Sequence, residues 1–208
     1  MKCLLRCLSA VVLLAMIPAL FPSCKKGEND PAFSLRSRKA RITGEWTMES
    51  ATWNKPDTTI TYDGENLVFE YEAGGNPATD TLQVQHSMTF NKDGTYQEVI
   101  ITDYPTGWRG NGLPAFTLTE TVKGLWNFTG GNNDTKTKSQ LLLRVTEVLK
   151  NASNAGSNID AFTYQGQTGG FIYDIDRLAN TELRLKYDLV ITANSGTFAE
   201  DAEIRYVK

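Results

Sequence analysis

From Ile42 to the C-terminus no stretch of 12 residues keeps apolar side chains at the 3.6-residue spacing of a helix, whereas apolar residues at every second position recur throughout. Successive strand side chains point to opposite faces, so a chain written this way must fold as strands with one buried face. The clearest run is LQVQHSMTF, with Leu82, Val84, His86, Met88 and Phe90 on one face and Gln83, Gln85, Ser87 and Thr89 on the other. Asn91-Lys92-Asp93-Gly94 follows, and its Asp-Gly supplies the positive φ of a tight hairpin leading into Thr95 to Thr102. Further alternating runs are Gly44 to Trp53, Asn66 to Glu72, Leu118 to Phe128, Gln140 to Leu149, Phe171 to Asp176, Thr181 to Val190 and Glu203 to Val207, nine strands in all.

Nine mostly antiparallel strands must pack as two sheets or close on themselves, because open edges invite aggregation. The inward set is large and aromatic, with Trp46, Phe69, Tyr71, Phe90, Trp126, Phe128, Phe171, Tyr173, Tyr187 and Tyr206 among its members. A barrel of about eight strands either just accommodates its own side chains or holds one small ligand, and the sequence leaves both interiors open.

Composition narrows the chemistry. His86 is the one histidine, and all three cysteines fall within the first 24 positions, which excludes zinc sites of the His/Cys kind and Cys-His dyads in the mature domain. No metal site and no cofactor are expected. Removing Lys2 and Arg6 with the leader argued below leaves 19 basic residues against 24 acidic ones, a net charge of −5. Such a domain has little electrostatic reason to bind nucleic acid.

The first 23 residues read as an export leader, with Lys2 and Arg6 ahead of an apolar run of 15 residues, Cys7 to Phe21. That run is shorter than the roughly 20 residues of a membrane-spanning helix, and Pro18 interrupts it. Phe21-Pro22-Ser23-Cys24 resembles the lipobox of bacterial lipoproteins, which implies cleavage before Cys24 and lipidation of its thiol. An ordinary secretory leader would instead leave Cys24 unmodified. Residues 24–41 read as the lipidated cysteine and a polar tether able to extend about 55 Å. Its cluster Arg36, Arg38, Lys39 and Arg41 would touch anionic head groups, form a short basic helix against the domain, or stay solvated. Residues 42–208 form the strand-built domain.

Four motifs in this domain resemble one family. Thr43-Gly44-Glu45-Trp46 carries the Gly-x-Trp that opens the first strand of lipocalins, and Phe90-Asn91-Lys92-Asp93-Gly94-Thr95-Tyr96 is similar to the Asp-Gly hairpin of the lipocalin-like lipoproteins of Bacteroidetes. Gly124-Leu125-Trp126 resembles their second Gly-x-Trp strand, and the segment Ile175 to Leu185 their late strand pair. The resemblance implies an antiparallel up-and-down barrel, outer-membrane anchoring toward periplasm or cell surface, an apolar ligand and no catalytic residue. Lipocalins stack a last-strand arginine on the first Trp; here Arg205 is the last-strand arginine, yet alternation puts it on the face opposite Ile204 and Tyr206.

Candidate ligand-binding residues on the inward face are Trp46, Phe69, His86, Met88, Trp126, Tyr173 and Tyr187. An inward histidine is more often a hydrogen-bonded core residue than a functional group. Glu98, Glu120 and Glu147 also interrupt apolar faces, either as a polar spot inside the barrel, where buried carboxylates must be paired and are sometimes functional, or, more commonly, in water near the barrel mouths. Between strands, Asp103 to Phe116 gathers Tyr104, Trp108 and Phe116 with Arg109, either as a contact surface or as a plug for one end. The expectation is a monomeric, membrane-anchored binder of a small apolar ligand or lipid. The competing reading is a non-catalytic module with a solid barrel that docks a protein or glycan through its loops.

Overall fold

The computed structural model describes residues 30–31, 36–110, 112–130, 139–153, 162–165, 170–193 and 196–208. The leader, Cys24, most of the tether, Asn111 and parts of the segment between Asn151 and Gly170 lie outside the described residues. One short helix, α1 (Arg38–Ile42), precedes the strands β1 (Gly44–Lys55), β2 (Thr58–Tyr62), β3 (Asn66–Ala73), β4 (Asn76–Phe90), β5 (Thr95–Tyr104) and β6 (Phe116–Thr129). There follow β7 (Gln140–Ser153), β8 (Phe162–Gln165), β9 (Gly170–Leu178), β10 (Glu182–Ala193) and β11 (Gly196–Val207).

Every ladder is antiparallel and nearly all join sequence neighbours; β11 returns to β1, and β7 carries β8 against Glu147–Lys150 and β9 against Gln140–Arg144. Since β8 and β9 occupy successive stretches of one return path, the sheet closes as an up-and-down antiparallel barrel of ten strands. Two elements escaped the alternation. β2 reads TTITY, where β-branched threonines, good strand formers, carry little apolar contrast. β8 lies inside the long connection after β7.

The barrel flares. At one end β1 pairs directly with β4, Gly44–Thr47 against Phe90–Ser87, so β1, β4, β5, β6, β7, β9, β10 and β11 make a ring of eight. Higher up, β1 and β4 part, and the β2–β3 hairpin fills the gap, β2 on Ala51–Lys55 and β3 on Asn76–Gln83. The fork is pinned by the Tyr62 hydroxyl, which donates to the Val84 carbonyl at 3.1 Å, and by the Val84 amide, which donates to Glu65 at 2.8 Å.

The narrow end is sealed. Trp46, Phe90, Ile42, Met48, Leu141, Leu178, Leu183 and Leu185 are fully buried there, and α1 lies beneath them. Residues 38–41, read from sequence as the end of the tether, are thus part of the folded domain. The Trp46 indole N–H donates to the Ile42 carbonyl at 2.6 Å. Arg38 and Arg41 are buried with Asp30, which pairs with Arg38 and accepts the Leu178 amide at 2.7 Å. The basic cluster therefore forms a helix against the barrel, with Arg36 and Lys39 left exposed.

Trp46 does receive a cation, but from Lys208: its ammonium lies 4.4 Å from the ring centroid and donates to the Arg41 and Thr43 carbonyls at 2.8 Å each. Gly44, with φ 119°, sits beside the Lys208 side chain. Arg205 points outward, to Glu49 at 2.6 Å and Glu182 at 3.0 Å, as alternation requires.

At the wide end the wall splits. The β9–β10 ladder runs only from Leu178↔Leu183 to Asp174↔Lys186, while β10 stays paired with β11 up to Ala193↔Gly196. Phe171 and Ile172 of β9 and Leu189, Val190 and Phe198 of the β10–β11 ribbon border this slit and are exposed. Phe171 was assigned to the core from its phase; it has the inward phase, but the parted strands leave it 60% exposed.

Candidate functional site

Above the sealed floor, a cavity of about 310 Å³ lies inside the barrel against the wall made by β5, β6, β7 and β9. Its lining is set by strand phase. Tyr96, Glu98 and Ile100 come from β5, Glu120 and Val122 from β6, and Phe171 and Tyr173 from β9. From β7 come Leu143, Val145 and, beyond a bulge that shifts the β6–β7 register between Lys123 and Gly124, Val148.

That bulge reverses the phase of upper β7 and corrects one expectation. Glu147 turns outward and pairs with Lys123 on the outer wall at 3.1 Å. Glu98 and Glu120 do the opposite of what solvation favours and line the interior. Among the described residues each has one partner. Glu98 Oε1 lies 2.6 Å from His86 Nε2, and Glu120 Oε2 lies 2.6 Å from Lys150 Nζ.

Rings pack edge-on farther around the wall. The His86 ring meets Tyr206 edge-on at 5.9 Å between centroids, and Tyr173 meets Tyr187 edge-on at 5.7 Å. The Tyr187 hydroxyl donates to Glu200. Burial pushes the Tyr96, Tyr173 and Tyr206 phenols far above their ordinary value of 10.0, and the charge of Glu98 adds to it. Tyr187 is pushed up by burial first and then by its bond to Glu200. These phenols stay protonated at any physiological pH and present hydroxyl groups to the interior.

Of the seven ligand-binding candidates, Tyr173 lines the cavity. His86 reaches it through Glu98, and Tyr187 stands one ring behind Tyr173. Trp46, Met88 and Trp126 belong to the floor, where Trp126 packs edge-on against Phe90 at 5.7 Å and donates to the Asn91 carbonyl at 3.0 Å. Phe69 faces the wide end beneath Arg109. Sequence reasoning passed over Tyr96, although the hairpin register held the signal. Phe90↔Tyr96 and Met88↔Glu98 are cross-strand partners, so an inward Phe90 and Met88 bring Tyr96 and Glu98 inward with them.

The loop between β5 and β6 packs on itself and on the β3–β4 hairpin. Tyr104 stacks on Phe116 at 4.7 Å and meets Trp108 at 6.2 Å, so the three aromatics pack on one another. Trp108–Gly110 forms a 3-10 turn in which Arg109 has φ 50°, a left-handed conformation unusual for a residue with a Cβ. From there Arg109 reaches the β3–β4 hairpin, 2.8 Å from Asp80 and 5.3, 5.2 and 5.3 Å from the ring centroids of Phe69, Tyr71 and Trp108. Asp80 also accepts the Tyr71 hydroxyl at 2.8 Å; that bond, with Arg109, holds its carboxyl below the ordinary 3.8.

No cluster of three metal-ligating side chains occurs among the described residues. Comparison of the chain with protein-family models, curated proteins and solved structures gave no match.

Proposed function

We propose that the protein is a membrane-anchored lipoprotein whose lipocalin-like barrel binds a small, largely apolar ligand and performs no chemistry on it. The single observation that carries this reading is the 310 Å³ interior cavity, walled by Ile100, Val122, Leu143, Val145 and Val148 above a sealed floor. A space of that size and character, with a few fixed polar groups, is what small-molecule sites are made of. The lipobox-like Phe21-Pro22-Ser23-Cys24 supports attachment to a bacterial outer membrane through Cys24.

Native mass spectrometry of the mature chain carrying Cys24→Ser reports any co-purified guest, and displacement of an environment-sensitive dye measures binding. Val148→Trp, which fills the cavity, abolishes both in this reading. If the chain carries no guest and binds no dye, or if Val148→Trp leaves binding unchanged, the barrel is not the ligand site.

A second reading, docking of a protein, is favoured by the exposed strip of Phe171, Ile172, Leu189, Val190 and Phe198. The loop aromatics do not favour it, because they pack on one another.

A further inference from the structure

We infer that the cavity selects a ligand whose polar head is an organic ammonium on a small apolar body; this rests on the ligand-binding reading above. The charged side chains that line the cavity are two carboxylates, Glu98 and Glu120, and no basic residue lines it among the described residues. They stand on adjacent strands one diagonal step apart, since Glu98 faces Val122 across the β5–β6 ladder. Each uses one oxygen on a protein partner, Glu98 on His86 and Glu120 on Lys150, and keeps lone pairs for a further donor.

A second, independent observation comes from Tyr96. The residue is 3% exposed and lines the cavity, and no described residue hydrogen-bonds its hydroxyl. Its hydroxyl faces the cavity, where water or a guest satisfies it. Tyr173 adds another hydroxyl on the same wall with no described partner. An ammonium group brings three donors and a positive charge; two carboxylates and a phenol oxygen are matching acceptors. A ligand carboxylate would lie beside two carboxylates, of which Glu120 is paired with the Lys150 ammonium, and a purely apolar guest would displace water from them and give nothing back.

The test compares three probes with one ring and different heads, 1-naphthylmethylamine, 1-naphthylmethanol and 1-naphthoate, titrated into the mature chain at neutral pH and read by naphthalene fluorescence and calorimetry. The expected result is amine binding on the order of tenfold or more tighter than the alcohol, and no measurable naphthoate binding. In Glu120→Gln and in Tyr96→Phe the amine loses that advantage while the alcohol changes less than about twofold. The wild-type comparison needs no variant to fold. Alcohol or naphthoate binding as tightly as the amine overturns the ammonium assignment and leaves the apolar cavity reading intact. Failure of all three probes to bind overturns both.

Discussion

Gly124 is the position at which the wall has no room for a side chain. It sits at the register shift between β6 and β7, and a Cβ built there would overlap the Arg144 carbonyl and the ring of Tyr96. Neither obstacle yields easily, one being backbone and the other a buried ring. Gly124→Ala is expected to cost about 2 kcal/mol in urea unfolding. It should also displace Tyr96 and weaken amine binding in the fraction that folds. The glycine of Gly124-Leu125-Trp126 was visible in the sequence as a motif, but its reason lies across the sheet. Alternation likewise placed Arg205 outside correctly, yet it gave no hint of Lys208, because the final residue has left the ladder and bends beneath Trp46. Periodicity speaks for residues inside a ladder and is silent about those that leave it.

Between residues and molecule, two connections decide how the elements hold together. Glu182, at the start of β10, takes Arg177 at 2.5 Å, Arg184 at 2.8 Å and Arg205 at 3.0 Å, tying β9, β10 and β11 at the narrow end. Desolvation raises its pKa, but the bond and charge of Arg184, with Arg177 and Arg205, outweigh this and bring it below its ordinary 4.5. A depressed carboxylate stabilises the fold above its unfolded value and ceases to do so as pH falls through its folded one. Glu182→Gln is therefore expected to lower stability by about 1 kcal/mol at pH 7. The gap between variant and wild type should shrink as pH drops below 4.5 and close once the wild-type carboxyl is protonated, as followed by denaturant titrations across that range.

The second connection is the latch from Arg109 to Asp80, Phe69, Tyr71 and Trp108. Because half of the Arg109 side chain is exposed, its loss should leave global stability nearly unchanged and free the loop. Arg109→Ala is expected to raise amide exchange in residues 106–110 by roughly fivefold, with the β-strand amides unaffected. Strand existence was legible at this scale wherever apolar contrast was strong, and the loop was legible as aromatic-rich. Its partner on β3–β4 was not, since nothing in the sequence ties position 109 to position 80. The cavity suffers the same blindness at the β7 bulge, where one extra residue exchanges Glu147 for Val148 at the inner wall.

For the molecule as a whole, Asp30 fixes where the barrel stands. Its carboxylate answers two buried guanidiniums and the Leu178 amide, all at the narrow end. Asp30→Asn would leave Arg38 and Arg41 buried without a counter-charge and is expected to cost about 3 kcal/mol, measurable as a lowered urea midpoint with an unchanged slope. Cys24 is then six residues from the docked Asp30, a distance of about 20 Å at full extension, against the 17-residue tether of the sequence reading. With Cys24 anchored as proposed, the narrow end faces the bilayer and the wide end faces away from it. The strands and the phase of most of them could be read from alternation, and closure into a barrel from the family resemblance alone. Its taper could not, because a hairpin that pairs with both neighbours over only part of their length leaves no mark in periodicity.

The change in girth from eight strands to ten along one axis makes the interior a blind alley. A molecule that goes in must turn back the way it came, past the arginine clasp or sideways through the seam beside Phe171 and Val190. How long it lodges there is then decided by the doorway, and how firmly it is held by the walls; the two can be tuned by separate mutations.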